Sequence, residues 1–313
     1  MDQVANNGVE NQDNAAANKP FLELYVKASG IDHRRIGACL FCQEFWMELY
    51  ALYELGLIRV EVKTVNVNSE PFKKSFLGAQ PPILVEPAKY AKQITYTDNR
   101  EIEGRIFHIA KEFQVPLFEK DSVVEKHIES LYRNFKVFLK TKTDDDKQNS
   151  NHQNGSPSVN GPLTVSSQQT LNKLIEQLTG IDKVQLFLCL NESINLLEER
   201  GTRYLLSSSM TEYDCELMPR LHHIRIAGEQ LCHVEVMPRN LIHLWTYMMT
   251  AYRTAAFIES CPADQDIIHH YKEQLNLTEK QRVSLQTPTK TLAIPDDVLD
   301  EIKRRGYDKI RND

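Results

Sequence analysis

Apolar and polar residues alternate in Phe-Leu-Glu-Leu-Tyr-Val-Lys at 21–27, the period of a strand whose successive side chains point to opposite faces. A polar turn follows. From Cys39 to Gly56 the period changes: Phe41, Phe45, Leu49 and Leu52 recur at helical spacing, and Gly56 is placed to end the helix. Residues 58–67 alternate again as a strand. Residues 69–78 predict a short helix with Ser69 as its cap, and 81–86 and 93–98 predict two short strands joined as a hairpin. A helix over 99–113 ends before Pro116. Strand, helix, strand, helix, strand, strand, helix in about one hundred residues predicts a small mixed sheet with helices against its faces.

From Asp121 onward every strong period is helical: 123–140, 171–200, 213–231 and 239–260. Between the first two lies a polar stretch, 141–169, with an Asp triplet and Gly, Pro and Ser, which reads as a mobile loop inserted between helices. Residues 1–19, rich in Asn and Ala, read as disordered. The tail from 275 to 313 holds one short candidate helix, 295–305, and otherwise looks extended. The expected organisation is a disordered segment at 1–19, a sheet-containing domain at 20–118, an all-helical domain at 119–274 and a tail.

Composition narrows the partners. With 313 residues, 41% hydrophobic and 26% charged, the chain is in the range of globular proteins and long enough for two domains. A formal net charge of −6 with both signs dispersed argues against a nucleic-acid surface and leaves small molecules or proteins. The first twenty residues lack the basic and apolar regions of a secretory signal, so a cytosolic start is expected. In that compartment the six cysteines (39, 42, 189, 215, 232 and 261) should be thiols. The glycosylation patterns at Asn154, Asn191 and Asn276 are then chance matches.

Cys39-Leu-Phe-Cys42 follows a strand and turn at a helix start, the setting of a thioredoxin-like redox motif. There, free helix N–H groups stabilise a thiolate at the first position, and the second cysteine can resolve a mixed disulfide. Structural zinc is a rival reading, but no second C-x-x-C occurs and nearby His33 adds only one ligand; two inert thiols are another. Gln80-Pro81-Pro82-Ile83 puts proline directly before a strand, a place for a cis bond or an ordinary trans turn. Thr97-Asp98-Asn99 precedes a helix whose free N–H groups could hold a carboxylate, although capping explains it equally well. Thr211-x-x-Asp214 approximates a capping box. His222-His223 and His269-His270 are poor metal pairs, since neighbours on a helix point about 100° apart. Cys189, Cys215 and Cys232 sit among apolar residues as packed thiols, and no metal site stands out.

Together, CLFCQEFWMELY, GAQPPILVE, TYTDNREIEGRI, MTEYDCELMPRLHHIRIAG and AFIESCPADQDIIHHY resemble the chloride intracellular channel (CLIC) family, especially its invertebrate members of the nematode excretory-canal type. The resemblance runs from about Phe21 to Tyr271. It implies a glutathione-transferase-like fold: a thioredoxin-like α/β domain followed by an all-helical domain. By position it implies that Cys39 reacts with glutathione, that Pro82, after Pro81, is the cis-proline facing it, and that Asp98 and Asn99 contact the γ-glutamyl end. Stretch 141–169 takes the place of the family's acidic loop, and about 39–60 that of a membrane-inserting segment. Leu40 departs from the family's usual proline, Asn99 from its threonine, and the tail from about Leu275 extends past the vertebrate core.

The implied function is a soluble cytoplasmic form that associates with membrane lipid and forms a redox-modulated chloride channel, as a homo-oligomer in the membrane. Two alternatives are a weak glutathione-dependent oxidoreductase and a nonenzymatic scaffold at membrane and cytoskeleton in tubular epithelia. The candidate span contains Glu44, Glu48 and Glu54. Each charged carboxylate near a bilayer centre costs about 2.5–3.5 kcal/mol, so insertion is expected only where acid, a pore or an interface relieves the charge.

Overall fold

In the computed structural model, which describes residues 19–87, 93–152, 163–195, 203–277 and 287–308, four strands form one sheet in the order β2-β1-β3-β4. They are β1 (Phe21–Lys27), β2 (Arg59–Val65), β3 (Ile83–Glu86) and β4 (Ile94–Tyr96). β1 and β2 run parallel, joined through helix α1 (Leu40–Glu54), while β3 is antiparallel to both β1 and β4. The predicted hairpin is therefore present. Its connecting residues 88–92 lie outside the described ones, as do 1–18, on which the expected disordered segment falls.

The alternation in β1 divides the sheet into two faces. Leu22, Leu24 and Val26 pack with Phe45, Leu49 and Leu52 of α1 and with Ile102, Ile106 and Ile109 of α3 (Asn99–Glu112). On the opposite face Tyr25, Ile83 and Val85 meet Phe72 and Phe76 of α2 (Glu70–Phe76). Arg105 of α3 holds the C-terminal end of β3 through two hydrogen bonds to Glu86, at 2.6 and 2.9 Å. Burial of large apolar side chains at about 25 cal/mol per Å² is what keeps both layers against the sheet.

After a 3-10 turn at Pro116–Phe118 the chain is helical: α4 (Ser122–Ile128), α5 (Leu131–His152), α6 (Val165–Asn195), α7 (Glu212–Cys232), α8 (Ile242–Ala251), α9 (Ala255–Ser260), α10 (Asp264–Gln274) and α11 (Asp296–Arg304). Their shared core is built around Phe135, Phe138, Leu178, Leu221, Trp245, Tyr247 and Phe257. The architecture is a thioredoxin-like α/β half followed by an all-helical half, as in glutathione transferases.

Four readings of the sequence change. The stretch 141–169 is not a loop over most of its length: α5 continues to His152 and α6 starts at Val165, with 153–162, including Asn154, outside the described residues. Lys142 and Asp146 are buried and paired across one helical turn, and Asp145 accepts the Thr164 hydroxyl. The helix continues because two of the polar residues that suggested a loop, Lys142 and Asp146, turn inward and pair, while Asp144, Lys147 and Gln148 form its solvated face. The predicted helix 123–140 breaks at Ser130, where φ is +71°. The predicted helix 239–260 splits into α8 and α9, because the Tyr252-Arg253-Thr254 turn closes with Arg253 N–H on the Thr250 carbonyl.

The fourth change concerns the tail. Ile294, Val298 and Ile302 are buried in the helical core, and Thr291 donates both its N–H and its hydroxyl to the Asp264 carboxylate. Spacing of four places all three apolar residues on one face of the segment, so α11 covers α8. Residues 278–286 and 309–313 lie outside the described ones.

Candidate functional site

The Cys39 site is built at the C-terminal end of β1. Gly37 N–H donates to the Lys27 carbonyl at 2.8 Å, and a Cβ at Gly37 would meet the Ala28 carbonyl oxygen at 2.5 Å. Only glycine allows this close return, which delivers Cys39 to the start of α1. Cys39 is the extended N-cap residue and half-buried; its carbonyl accepts the Gln43 N–H at 3.1 Å. The first-turn N–H groups have no helical partner. The Cys39 thiol is held down to about 7, first by a hydrogen bond from the Cys42 thiol and then by the Cys42 and Phe41 N–H groups and the Lys27 charge, against burial. Cys42 is buried and accepts the Lys27 N–H at 3.4 Å; burial pushes its thiol well above the ordinary value. The two cysteines are chemically unequal: the Cys39 thiol ionises the more readily, and the Cys42 thiol is the largest influence on it.

Register brings the other predicted residues to the same end. Tyr25 pairs with Ile83 and Leu84 with Tyr96, so Pro82 lies one step beyond the β1–β3 ladder and Asp98 falls opposite it, two residues past the β3–β4 ladder. The Pro81–Pro82 bond is cis, and both prolines are buried. Asp98 is exposed and caps α3, accepting the Arg100 N–H at 2.9 Å, while Asn99 is the first residue of that helix. The capping reading of Asp98 is thus realised. Among the described residues its second carboxylate oxygen and the first-turn N–H groups of α3 other than that of Arg100 have no hydrogen bond at that end of the sheet.

α1 is buried on two sides. Its Cys42, Phe45, Leu49 and Leu52 face the sheet, whereas Met47 belongs to the helical core and the helix packs against α7 and α9. Phe41 does not pack in this set; it is 46% exposed. On the helical side Glu44 forms a 3.2 Å ion pair with Arg220 of α7, and burial nevertheless pushes its carboxyl up to about 7. Glu48 is 2% exposed, its Oε2 has no hydrogen-bond partner among the described residues, and burial together with the charge of Glu44 pushes it well up. Glu54 is exposed near the end of the helix. The two halves are also clasped where Asp266 of α10 accepts the Ser29 hydroxyl and pairs with Arg35 at 3.3 Å.

Beside α1 a cavity of about 330 Å³ opens between the halves, lined by seven glutamates, including Glu44, Glu48, Glu103, Glu212 and Glu216, against the two cations Lys120 and Arg220. Composition gave no hint of it. The available signal was spacing: Glu44 and Glu48 at four residues on α1, and Glu212, Glu216 and Arg220 at four-residue steps on α7.

Residues 20–107 match the family model described as CLIC-like N-terminal domain. Over 288 residues the chain is 64% identical to the chloride intracellular channel exc-4 of Caenorhabditis elegans, covering 92% of each protein. The chain belongs to the chloride intracellular channel family. A Drosophila melanogaster member of this family, Clic, is 39% identical over 89% of this chain and 92% of that protein. The crystal structure of the C. elegans CLIC homologue EXC-4 superposes with a TM-score of 0.81 at 62% identity, covering 93% of this chain and 95% of the other. A Chlamydomonas reinhardtii dehydroascorbate reductase shares the fold alone, with a TM-score of 0.56 at 16% identity over 80% of this chain and 97% of that one.

For a family named for channels, the helices are informative: among the described residues none is long and apolar enough to cross a membrane. Nor, among those residues, are three or more His, Cys, Asp or Glu side chains grouped to hold a metal. His222 and His223 are buried, with Nδ1 atoms 3.0 Å from the Tyr252 hydroxyl and 3.2 Å from the Tyr271 hydroxyl. His269 lies 3.7 Å from Glu273, and His270 hydrogen-bonds Gln274 at 2.9 Å. Cys215, Cys232 and Cys261 are buried free thiols; the Cys189 side chain lies outside the described ones, as does that of Asn191. Asp214 goes beyond the capping box: its carboxylate accepts the N–H groups of Thr211 and Leu205 and the Tyr247 hydroxyl, each within 2.9 Å.

Proposed function

We propose that this chain is a cytoplasmic chloride intracellular channel-type protein that rests with α1 docked between its halves, associates with membrane lipid, and there forms an anion-conducting homo-oligomer modulated through Cys39. The relatives' names supply the channel activity. The observation that favours a second state is the cost of docking α1. The Gln43 side-chain amide nitrogen and oxygen and Glu48 Oε2 are buried without partners among the described residues. Each such group costs about 1–3 kcal/mol, so α1 is held less firmly than an apolar helix would be in the same place.

The fold also sets what that second state requires. The 15 residues of α1 rise about 22 Å, short of the roughly 30 Å hydrocarbon core. Residues 39–60 would reach, but Arg59 and Val60 are paired with Phe21 and Leu22. Insertion therefore has to open the first rungs of the β1–β2 ladder as well as the α1 interfaces. Burial pushes the Glu48 carboxyl well up and leaves Glu44, raised to about 7, near half-protonated at neutral pH, so part of the charge cost is relieved before the helix moves.

Chloride efflux from vesicles, measured from mildly acidic to neutral pH in reduced and oxidised conditions, tests this reading. Efflux that rises with acid and changes with redox state in wild type but not in Cys39→Ser supports it. Efflux equal with and without Glu44 and Glu48 removes the reason to invoke an inserted α1.

A glutathione-dependent oxidoreductase is a second reading, favoured by the lowered Cys39 thiol at the same end of the sheet as cis-Pro82 and the α3 N-terminus. Asp98, Asn99 and the backbone around Pro81-Pro82 would hold glutathione. The Cys39 thiolate would attack a glutathionyl mixed disulfide, taking up the glutathionyl sulfur and releasing the substrate thiolate. A second glutathione would then restore Cys39 and leave as the disulfide. Because Cys42 is buried with a raised pKa, turnover should vanish in Cys39→Ser and persist in Cys42→Ser. A scaffold, by contrast, would be recruited to membranes or cytoskeleton with Cys39 absent.

A further inference from the structure

The acidic cavity between the halves goes beyond both readings: the first uses Glu44 and Glu48 as charges on α1, but neither assigns the cavity a ligand. Its floor and its rim differ. Glu48, 2% exposed and with Oε2 unpartnered, lies at depth beside Glu44, while Glu103, Glu125 and Glu129 stand exposed around the opening. Among the described residues these three rim carboxylates enter no ion pair. One ammonium group is already accepted here: Lys120 pairs with the buried Glu212, with its Nζ 5.6 Å from the centre of the Tyr213 ring.

The geometry also restricts the kind of cation. No three carboxylates converge as metal ligands among the described residues, so the negative charge is spread along the cavity rather than focused at a point. An elongated molecule with several ammonium groups matches that spacing. Phe41, Ile128 and Tyr213 supply the apolar and aromatic surface along which methylene links can lie and over which an ammonium is favoured.

We propose that this cavity binds a linear alkyl polyamine, one ammonium reaching Glu48 and others held by the rim glutamates. Because Phe41, Glu44, Glu48 and Glu103 come from the sheet half and Glu212 and Glu216 from α7, the bound cation bridges the halves and stabilises the docked form by mass action.

Calorimetry with the full-length protein and spermidine, at physiological ionic strength, tests the proposal. Saturable binding of one spermidine per chain is expected, with a raised melting temperature. Glu48→Gln, which keeps the shape of the side chain, should weaken binding by about tenfold. Glu103→Gln and Glu129→Gln, exposed and unpaired in the fold, should each weaken it by roughly two- to fivefold. Titrations in buffers of different ionisation enthalpy should show proton release that Glu48→Gln removes, as Glu48, raised by burial and by the charges of Glu44, Glu212, Glu103 and Glu216, ionises against the ammonium. No saturable binding would overturn the proposal. So would binding unchanged in both the Glu48 and rim variants, or equal displacement of spermidine by butylamine or Mg²⁺ at matched ionic strength.

Discussion

Glu44 of α1 and Arg220 of α7 form a 3.2 Å ion pair across the two halves of the fold, with Arg220 also 3.4 Å from Glu216. This pair holds the helix with most to lose by leaving. Arg220→Met should lower stability by about 2 kcal/mol at pH above 7 and by less in mild acid, as Glu44 takes up a proton. Urea unfolding of the single and double variants with Glu44→Gln checks this. A loss independent of pH would mean that Arg220 acts through packing alone.

Acid has opposing effects on the two halves. Glu44 and Glu48 have raised carboxyl pKa values in the fold, so the folded state binds more protons than the unfolded chain and stability falls as pH rises from about 4.5 through about 7. Burial depresses His222 to about 3 and His270 to about 4, so the unfolded chain binds more protons and stability is lost as pH falls below about 6.5. Mild acid therefore stabilises docked α1 against exposure to water, though not against transfer to a bilayer, while weakening the core formed by α7 and α10. His222→Gln should remove about 2–3 kcal/mol of the stability difference between about pH 7.5 and about pH 4.5, read from denaturant midpoints.

Cys39 should alkylate with a pH midpoint near 7. Because the Cys42 thiol is the largest influence lowering it, Cys42→Ala should move that midpoint upward by about a unit. Rates of iodoacetamide modification across pH, followed by mass spectrometry, give the answer. An unchanged midpoint would transfer the effect to the α1 backbone and Lys27.

Asp214→Ala leaves the Leu205 and Thr211 N–H groups and the Tyr247 hydroxyl without their shared acceptor in a dry core. A loss of about 3–5 kcal/mol is expected in chemical denaturation. A loss below about 1 kcal/mol would show that the network rearranges around other acceptors.

Ending the chain after Asn276 uncovers the surface filled by Ile294, Val298 and Ile302. At about 1.5–3 kcal/mol for each buried aliphatic side chain, the truncated protein should melt several degrees lower and expose apolar surface to a reporter dye. An unchanged melting temperature would make the tail an appendage after all.

Local rules were sufficient where one side chain or one period decides the matter. The alternation of β1, the Cys39 helix start, proline before β3 and the capping role of Asp98 were all legible. The loop read at 141–169 failed because Lys142 and Asp146 are buried polar residues, and a sequence pattern cannot reveal that they pair with each other. The continuous helix read at 239–260 failed because a hydroxyl-rich turn at Thr250 and Thr254 closes without proline or glycine.

The sequence by itself determined the order of most elements, the helix-start position of Cys39 and the family, because these rest on local periodicity, spacing and short motifs. Only the tertiary structure decided that Pro82 and Asp98 share the end of the sheet with Cys39, that α1 carries an unpartnered Glu48, and that glutamates from α1, α3 and α7 surround one cavity. Those properties depend on which surfaces meet across the chain. Burial alters a carboxyl or thiol through neighbours that are far away in sequence.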